Sequence, residues 1–331
     1  MSELKKGAGP LFMDPDADNA REFFATKHLA SRNKLMTATE AISQYVHDGD
    51  YLASGGFGTN RIATALLHEV VRQRRKNLGL AGHTMTHDFQ ILCAGECISH
   101  CDAAYIVGLE ARGLSKNARR LIESGKMELC EWTNAALSWR LRAAAMGVSF
   151  IPARVMLGTD TFANSAAVEI ECPFTGQKFA ALPALYPDVA LIHVHVASPS
   201  GNACIEGLTA ADIDLASASK RVIISAERIV PEEDMRRRPH RTTIPSVVGD
   251  AVVEAPFGCY PGNMPYLYFS DEDHLREWLQ AEEDPEVFKA FVEKYIYGTD
   301  YFYEYLDLCG GMRRMIQLRR KEYMVDGAAC D

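Results

Sequence analysis

From residue 36 onward, apolar positions switch between two spacings in regular alternation. Helical spacing predicts helices over 37–46, 61–73, 86–95, 115–125 and 135–147. Short apolar runs predict strands over 50–54, 77–83, 103–109, 127–132, 188–197, 221–230 and 251–258. Thr37 stands three residues before Glu40, the spacing of a capping box. Gly125 and Gly147 are placed to end two helices. Strand–helix alternation at this spacing implies parallel strands joined by right-handed crossovers. The expected fold is therefore α/β, an open, largely parallel sheet with helices on both faces. Residues 1–34 read as a polar arm with a short helix near 18–30. Residues 35–270 read as the α/β domain, and 271–331 as a C-terminal helical extension packed on it. No repeat or low-complexity linker divides the chain.

The first strand runs into "SGGFGTNR", and this stretch carries the chemistry to be explained. Gly55, Gly56 and Gly58 permit a sharp bend or a close approach. A dinucleotide fingerprint needs a third glycine where Arg61 stands, and a P-loop needs Gly-Lys followed by Ser or Thr, which is absent. What remains is strand, glycine turn, helix. Main-chain amides there can hold an anion or an oxyanion, and the plain alternative is a tight turn. Gly55, Gly56, Phe57, Gly58, Thr59, Asn60 and Arg61 are thus candidate substrate-binding residues. Arg61 can pair with a substrate carboxylate through its planar fork; otherwise it is a solvated first-turn arginine.

Charge narrows the partners. The 331 residues carry a formal net charge of −9, which repels phosphate backbones and anionic lipid. No nucleic-acid or membrane partner is expected, and neither a leader nor a membrane span is visible. Nine cysteines, an odd number, read as free thiols in a reducing cytoplasm. The cluster Cys93, Cys97, His100 and Cys101 invites a zinc site but lacks the C-x2-C knuckle, so no metal is expected.

The stretch Asp48-Gly49 through Gly55-Gly56-Phe57 resembles the alpha-chain pattern of class I coenzyme A transferases. Residues 108–129, 182–207 and 221–234 are similar to the same family, and 244–261 looks like the alpha chain of its glutaconate CoA-transferase type. The resemblance covers about residues 36 to 318. It departs where Arg61-Ile62 stands in place of small residues, which bears on the acyl group. The resemblance implies a two-chain enzyme in which a glutamate attacks an acyl-CoA thioester, giving an anhydride and then a glutamyl-CoA thioester. In glutaconate-type members that glutamate lies in the B (beta) subunit. The matching place here is Gly82-His83, so no catalytic residue is expected on this chain. A B subunit in an α2β2 or α4β4 assembly is the implied partner. Coenzyme A enters as part of the substrate, with no permanently bound cofactor.

Other residues have two readings each. His83 can donate to a substrate carboxylate or bond a backbone group. Glu110 can line the pocket from the end of the strand predicted at 103–109; it and Glu206 are otherwise surface carboxylates. Ser198 and Asn202 flank the turn "SPSGN" and can meet a ligand or simply make the turn. The basic run "MRRRPHR" (235–241) is a solvated loop, a seat for CoA phosphates or a face for an acidic partner. The tyrosine-rich 295–306 suggests an inter-subunit contact. Two further functions share these features: a hydrolase or decarboxylase of CoA thioesters on the same scaffold, and a ligand-sensing or scaffold domain.

Overall fold

The computed structural model describes residues 4–28, 30–106 and 112–324. Its strands are β1 Tyr51–Ser54, β2 Leu78–Gly82, β3 Ile98–Ala103, β4 Glu128–Glu131, β5 Phe150–Ala153, β6 Val168–Glu171, β7 Lys178–Pro183, β8 Val189–Ala197, β9 Ala203–Cys204, β10 Arg221–Ile229 and β11 Ala251–Glu254. The main sheet runs β11-β10-β8-β1-β2-β3-β4, all parallel, with β9 antiparallel to β8. This is the open, mostly parallel α/β sheet that the alternation predicts.

Side chains along each strand alternate between two cores. Leu52 of β1 enters one, with Val189, Leu191 and Ile223, while Tyr51 and Ala53 enter the other, with Ala190, Ile192 and Ile224. The helices Thr64–Arg72 and His87–Ala94 cover the first face, and Asn134–Ala145 and Asp212–Ala218 the second. Thr37 caps the helix Ala38–Tyr45 with both bonds of a capping box. The helices from Glu272 to Tyr323 add Trp278, Ile296 and Tyr305 to the first core, beside Leu66 and Val70. In the tyrosine-rich segment, Tyr295 and Tyr305 therefore face the chain's own core, while Tyr301 and Tyr303 are exposed.

Two differences from the sequence reading have physical causes. The strand expected over 103–109 lies instead at Ile98–Ala103; residues 107–109 of that stretch are outside the described residues. Its sequence, "ISHCDA", is polar; Ser99 and His100 are half-buried, and the buried Asp102 carboxylate is matched. Asp102 accepts from Trp132 Nε1 (2.6 Å), Arg140 Nη1 (2.6 Å) and the Tyr51 hydroxyl. The second difference is a three-stranded antiparallel sheet, β5-β7-β6, in a segment where no element is predicted. Two of its strands, β5 and β6, are interrupted by Pro152 and by Glu169 and Glu171, so neither carries a continuous apolar run. The N-terminal arm runs beside this sheet, with Gly7 N donating to Ala167 O at 2.9 Å.

Cys93, Cys97 and Cys101 are buried in the first core, and the His100 ring lies against Phe12 and Tyr51. Among the described residues no group of three or more His, Cys, Asp or Glu is gathered to hold a metal, and no helix is long and apolar enough to cross a membrane.

Candidate functional site

Chain order in the sheet reverses at β1. Strands β2 to β4 lie to one side and β8 to β11 to the other. In open α/β sheets such a switch leaves a crevice beyond the carboxyl ends of the two strands. The segment beyond β1 is Gly55–Arg61, so topology alone puts the glycine loop at the crevice.

The loop is tightly tied. Gly55 N donates to Leu191 O (2.9 Å), Gly56 N to Asp212 Oδ1 (2.8 Å), Phe57 N to Asn60 O (3.0 Å) and Gly58 N to Thr84 O (2.9 Å). Gly56 and Gly58 have φ of +93° and +64°. A Cβ on Gly55 would stand 2.7 Å from Asp212 Oδ1. The glycines thus let the bend close onto Asp212 and β8. Asn60 N donates to Phe57 O and Arg61 N to Asn263 O, both at 3.0 Å. These main-chain amides are spent inside the chain, which corrects the expectation of an open amide cradle.

Arg61 is corrected in the same way. Its guanidinium is buried, ion-paired with Asp212, and donates to Leu208 O at 2.7 Å. Its charge is met by this chain before any substrate arrives. Asp212 therefore organises the loop twice, through the Gly56 amide and through Arg61. Sequence reading misses it because 151 positions separate it from Arg61.

His83 follows β2 and faces Phe57, with ring centroids 6.1 Å apart. Its Nε2 shares a hydrogen bond with Ser138 Oγ at 2.7 Å. Burial lowers its pKa, against the nearby Asp212 charge, so the ring is held neutral. Thr84, next in sequence, has φ of +50°, an uncommon conformation for a β-branched residue, and its buried hydroxyl has no partner among the described residues. Gly82 is a packing glycine: a Cβ there would meet Ile106 at 2.5 Å. Thr59 Oγ1 bonds Asn263 Oδ1 at 3.2 Å, and Asn60 Oδ1 accepts from Asn263 Nδ2. Phe57 is 38% exposed at the mouth of the crevice. Glu110 lies outside the described residues.

Ser198 and Asn202 stand elsewhere. Ser54 of β1 is level with Leu191, and β8 runs on for six more residues to Ala197. The turn thus lies roughly 20 Å beyond the end of β1, measured along β8. Its groups are also occupied: Ser198 Oγ bonds Ser200 and the Asn202 amide, and Asn202 Nδ2 donates to Glu232 Oε1 at 2.6 Å.

Against known proteins, residues 35–255 match the family model "Coenzyme A transferase". The chain belongs to the coenzyme A transferase family. It is 32% identical to the A subunit of glutaconate CoA-transferase from Acidaminococcus fermentans, over 85% of this chain and 93% of that one. The crystal structure of glutaconate coenzyme A-transferase from the same organism superposes with a TM-score of 0.82 at 31% identity, covering 86% of this chain and 95% of the other. The decarboxylase AibA/AibB, crystallised as a cysteine-to-serine variant, superposes at 0.73 with 31% identity, over 80% and 98%. An uncharacterized protein of Archaeoglobus fulgidus is 46% identical over 97% of this chain and 72% of its own length.

Toward the carboxyl ends of β8 and β10, this coenzyme A transferase chain has a cavity of about 360 Å³ whose lining includes His195, Glu206, Glu227, Phe257, Tyr268 and Arg319. Glu227, near the end of β10, accepts from His193 Nε2 (2.9 Å), the Phe257 amide (2.8 Å) and the Tyr268 hydroxyl (2.5 Å). His195 donates from Nε2 to Pro265 O (2.9 Å) and accepts the Glu206 amide at Nδ1 (3.0 Å), which fixes its tautomer; burial lowers its pKa. Residues 257–268 thus span the strand ends, joining Asn263 at the glycine loop to Phe257 and Tyr268 at Glu227. A signal for Glu227 was present in the sequence: it is the one carboxylate in the mostly apolar run "VIISAERIV".

Proposed function

We propose that this chain is the A subunit of a heteromeric acyl-CoA:carboxylate CoA-transferase of the glutaconate type, working with a B subunit in an α2β2 or α4β4 assembly. The observation that carries the reading is the fit of most of the chain to glutaconate coenzyme A-transferase. The end of β2 supports a split site, because a neutral His83 stands there instead of a carboxylate. In this reading a glutamate of the B subunit attacks the thioester carbon and displaces the CoA thiolate, leaving a mixed anhydride. The thiolate then attacks the glutamyl carbon, freeing the first acid and storing CoA as an enzyme thioester. The acceptor carboxylate reverses both steps. Two moderate barriers replace one high barrier.

The contribution of this chain is positioning. The glycine loop, locked by Asp212, presents Phe57 and the Asn60–Asn263 pair at the crevice, with His83 behind them. Arg61 holds the loop in place and leaves the distal carboxylate of a substrate to another cation. All cysteines among the described residues are free thiols, which suits the cytoplasm.

The decarboxylase likeness at 31% identity supports a second reading, loss of CO2 from a glutaconyl-type thioester. One experiment separates them. The chain, co-purified with its companion chain, is incubated with glutaconyl-CoA with and without acetate. Acetyl-CoA formed only with acetate, with free glutaconate in equal amount, is the expected result. Evolution of CO2, or free CoA without acceptor, overturns transfer.

A further inference from the structure

The basic run at 235–241 closes a second cavity, of about 280 Å³. Its rim carries Arg228 from β10 and Arg237, Arg238 and Arg241 from the turn that follows; its floor includes the buried Cys204 and Met235. In a chain of net charge −9 this concentration of guanidinium groups is a strong local departure. Two of the four are already engaged: Arg241 pairs with Glu206, and Arg237 stands 3.8 Å from Asp234. Among the described residues, Arg228 and Arg238 have no side-chain hydrogen bond or ion pair. Arg228 also lines the cavity that holds Glu227, as does Val196, so the two cavities meet at a shared wall.

We infer that the arginine cavity seats the phosphate groups of the coenzyme A thioester, with the uncharged pantetheine arm passing Val196 and Arg228 toward the cavity of Glu227. This rests on the transferase reading for the identity of the thioester. A single carboxylate needs one guanidinium. Several converging forks match the many oxygens of a 3′-phosphate and a diphosphate, and each adds a charge-assisted bond. A ligand with a polyanionic head and an uncharged arm fits a charged chamber that shares a wall with a second chamber, where Val196, Pro256, Phe257 and Leu267 offer apolar surface to the arm. A concave basic site also concentrates such anions from solution despite the overall charge.

Adenosine 3′,5′-bisphosphate, which carries phosphates but no thioester, is the probe. Titrated calorimetrically into the full chain, it binds, and its affinity falls with added salt. The double variant Arg228→Gln/Arg238→Gln weakens it about tenfold or more, with the unfolding midpoint unchanged. In the assembled enzyme the same variant raises the KM for acyl-CoA about as much and leaves the KM for the acceptor acid within about twofold. Unaltered binding in the double variant overturns the assignment, as does dissociation of the two chains from each other, which would make these arginines a dock for an acidic partner face. An assembly that transfers no CoA, yet loses bisphosphate binding with these arginines, sinks the transferase reading and leaves the phosphate seat standing.

Discussion

At the scale of single residues, one carboxylate decides the geometry of the crevice. Asp212 accepts from the Gly56 amide and pairs with Arg61, and both ionic side chains are buried. Removing one partner of a buried ion pair leaves the other charge unpaired in low dielectric, a cost of about 3–5 kcal/mol. Asp212→Asn keeps an oxygen for Gly56 but turns an amide toward the guanidinium. The expected result is a fall in unfolding free energy of that order, read by urea denaturation. The Arg61→Ala change then costs much less on the Asp212→Asn background than alone, because the two side chains act as a pair. Equal costs on both backgrounds would mean that Arg61 meets something other than Asp212. This pair also marks what the sequence left unreadable. The glycine loop was legible as strand, bend and helix, because glycine and apolar spacing are local signals. The partner that takes one of its amides and its cation was not, since a contact across 151 positions leaves no periodicity.

At the scale of elements, regular structure was legible and its exceptions were polar. Strands such as β8 and β10 are mostly apolar, as buried parallel strands are, with only a few polar residues among Val, Ile, Leu and Ala. β3 escaped because His100 and Asp102 interrupt its pattern; the burial of Asp102 depends on Arg140 and Trp132, which no local reading supplies. The helix His87–Ala94 shows the same principle at its start. Asp88 is buried, and its Oδ1 accepts from the Thr86 (2.7 Å) and Phe89 (3.0 Å) amides. Burial nonetheless raises its pKa from 3.8 to about 7, against those amides. The sign follows from linkage. Below about pH 4 the group is protonated in both states and exerts no pH-dependent effect. Between that and about pH 7 the unfolded chain releases the proton while the folded one retains it, so stability falls as pH rises; above the folded pKa the loss levels off. Asp88→Asn keeps the oxygen and removes the titration. Relative to the parent, the variant therefore gains stability from pH 5 to pH 8, by about 3 kcal/mol at most. Urea midpoints at the two pH values check this; a constant difference would place the Asp88 carboxylate in contact with water.

At the scale of the whole molecule, the question is whether the helices after residue 270 are an appendage or part of the body. Their apolar side chains are not a separate core. Trp278, Phe288, Ile296 and Tyr305 join the cluster that also holds Leu52 of β1 and Leu66, Val70 and Phe89 of the helices above it. Polar ties follow the same route: Tyr260 OH donates to Asp271 Oδ2 (2.9 Å), Arg314 Nη2 to Asp271 Oδ1 (2.6 Å), and Arg72 Nε to Thr299 O (2.6 Å). One face of the central sheet is thus completed by chain that lies beyond residues 35–255, the part matched by the family model. Each large side chain uncovered by its loss forfeits about 1.5–3 kcal/mol of burial, and several at once exceed the few kcal/mol by which a domain is stable. A chain ending at residue 270 is therefore expected to lose its sharp unfolding transition and to expose the apolar face of the Thr64–Arg72 helix, binding hydrophobic dye in the absence of denaturant. The glycine loop would suffer with it, because Asn263 and Tyr268, which tie that loop to the cavity of Glu227, are held between this helical layer and the sheet. A truncated chain that still unfolds cooperatively would instead make residues 35–270 a self-sufficient domain and the last helices an ornament on it.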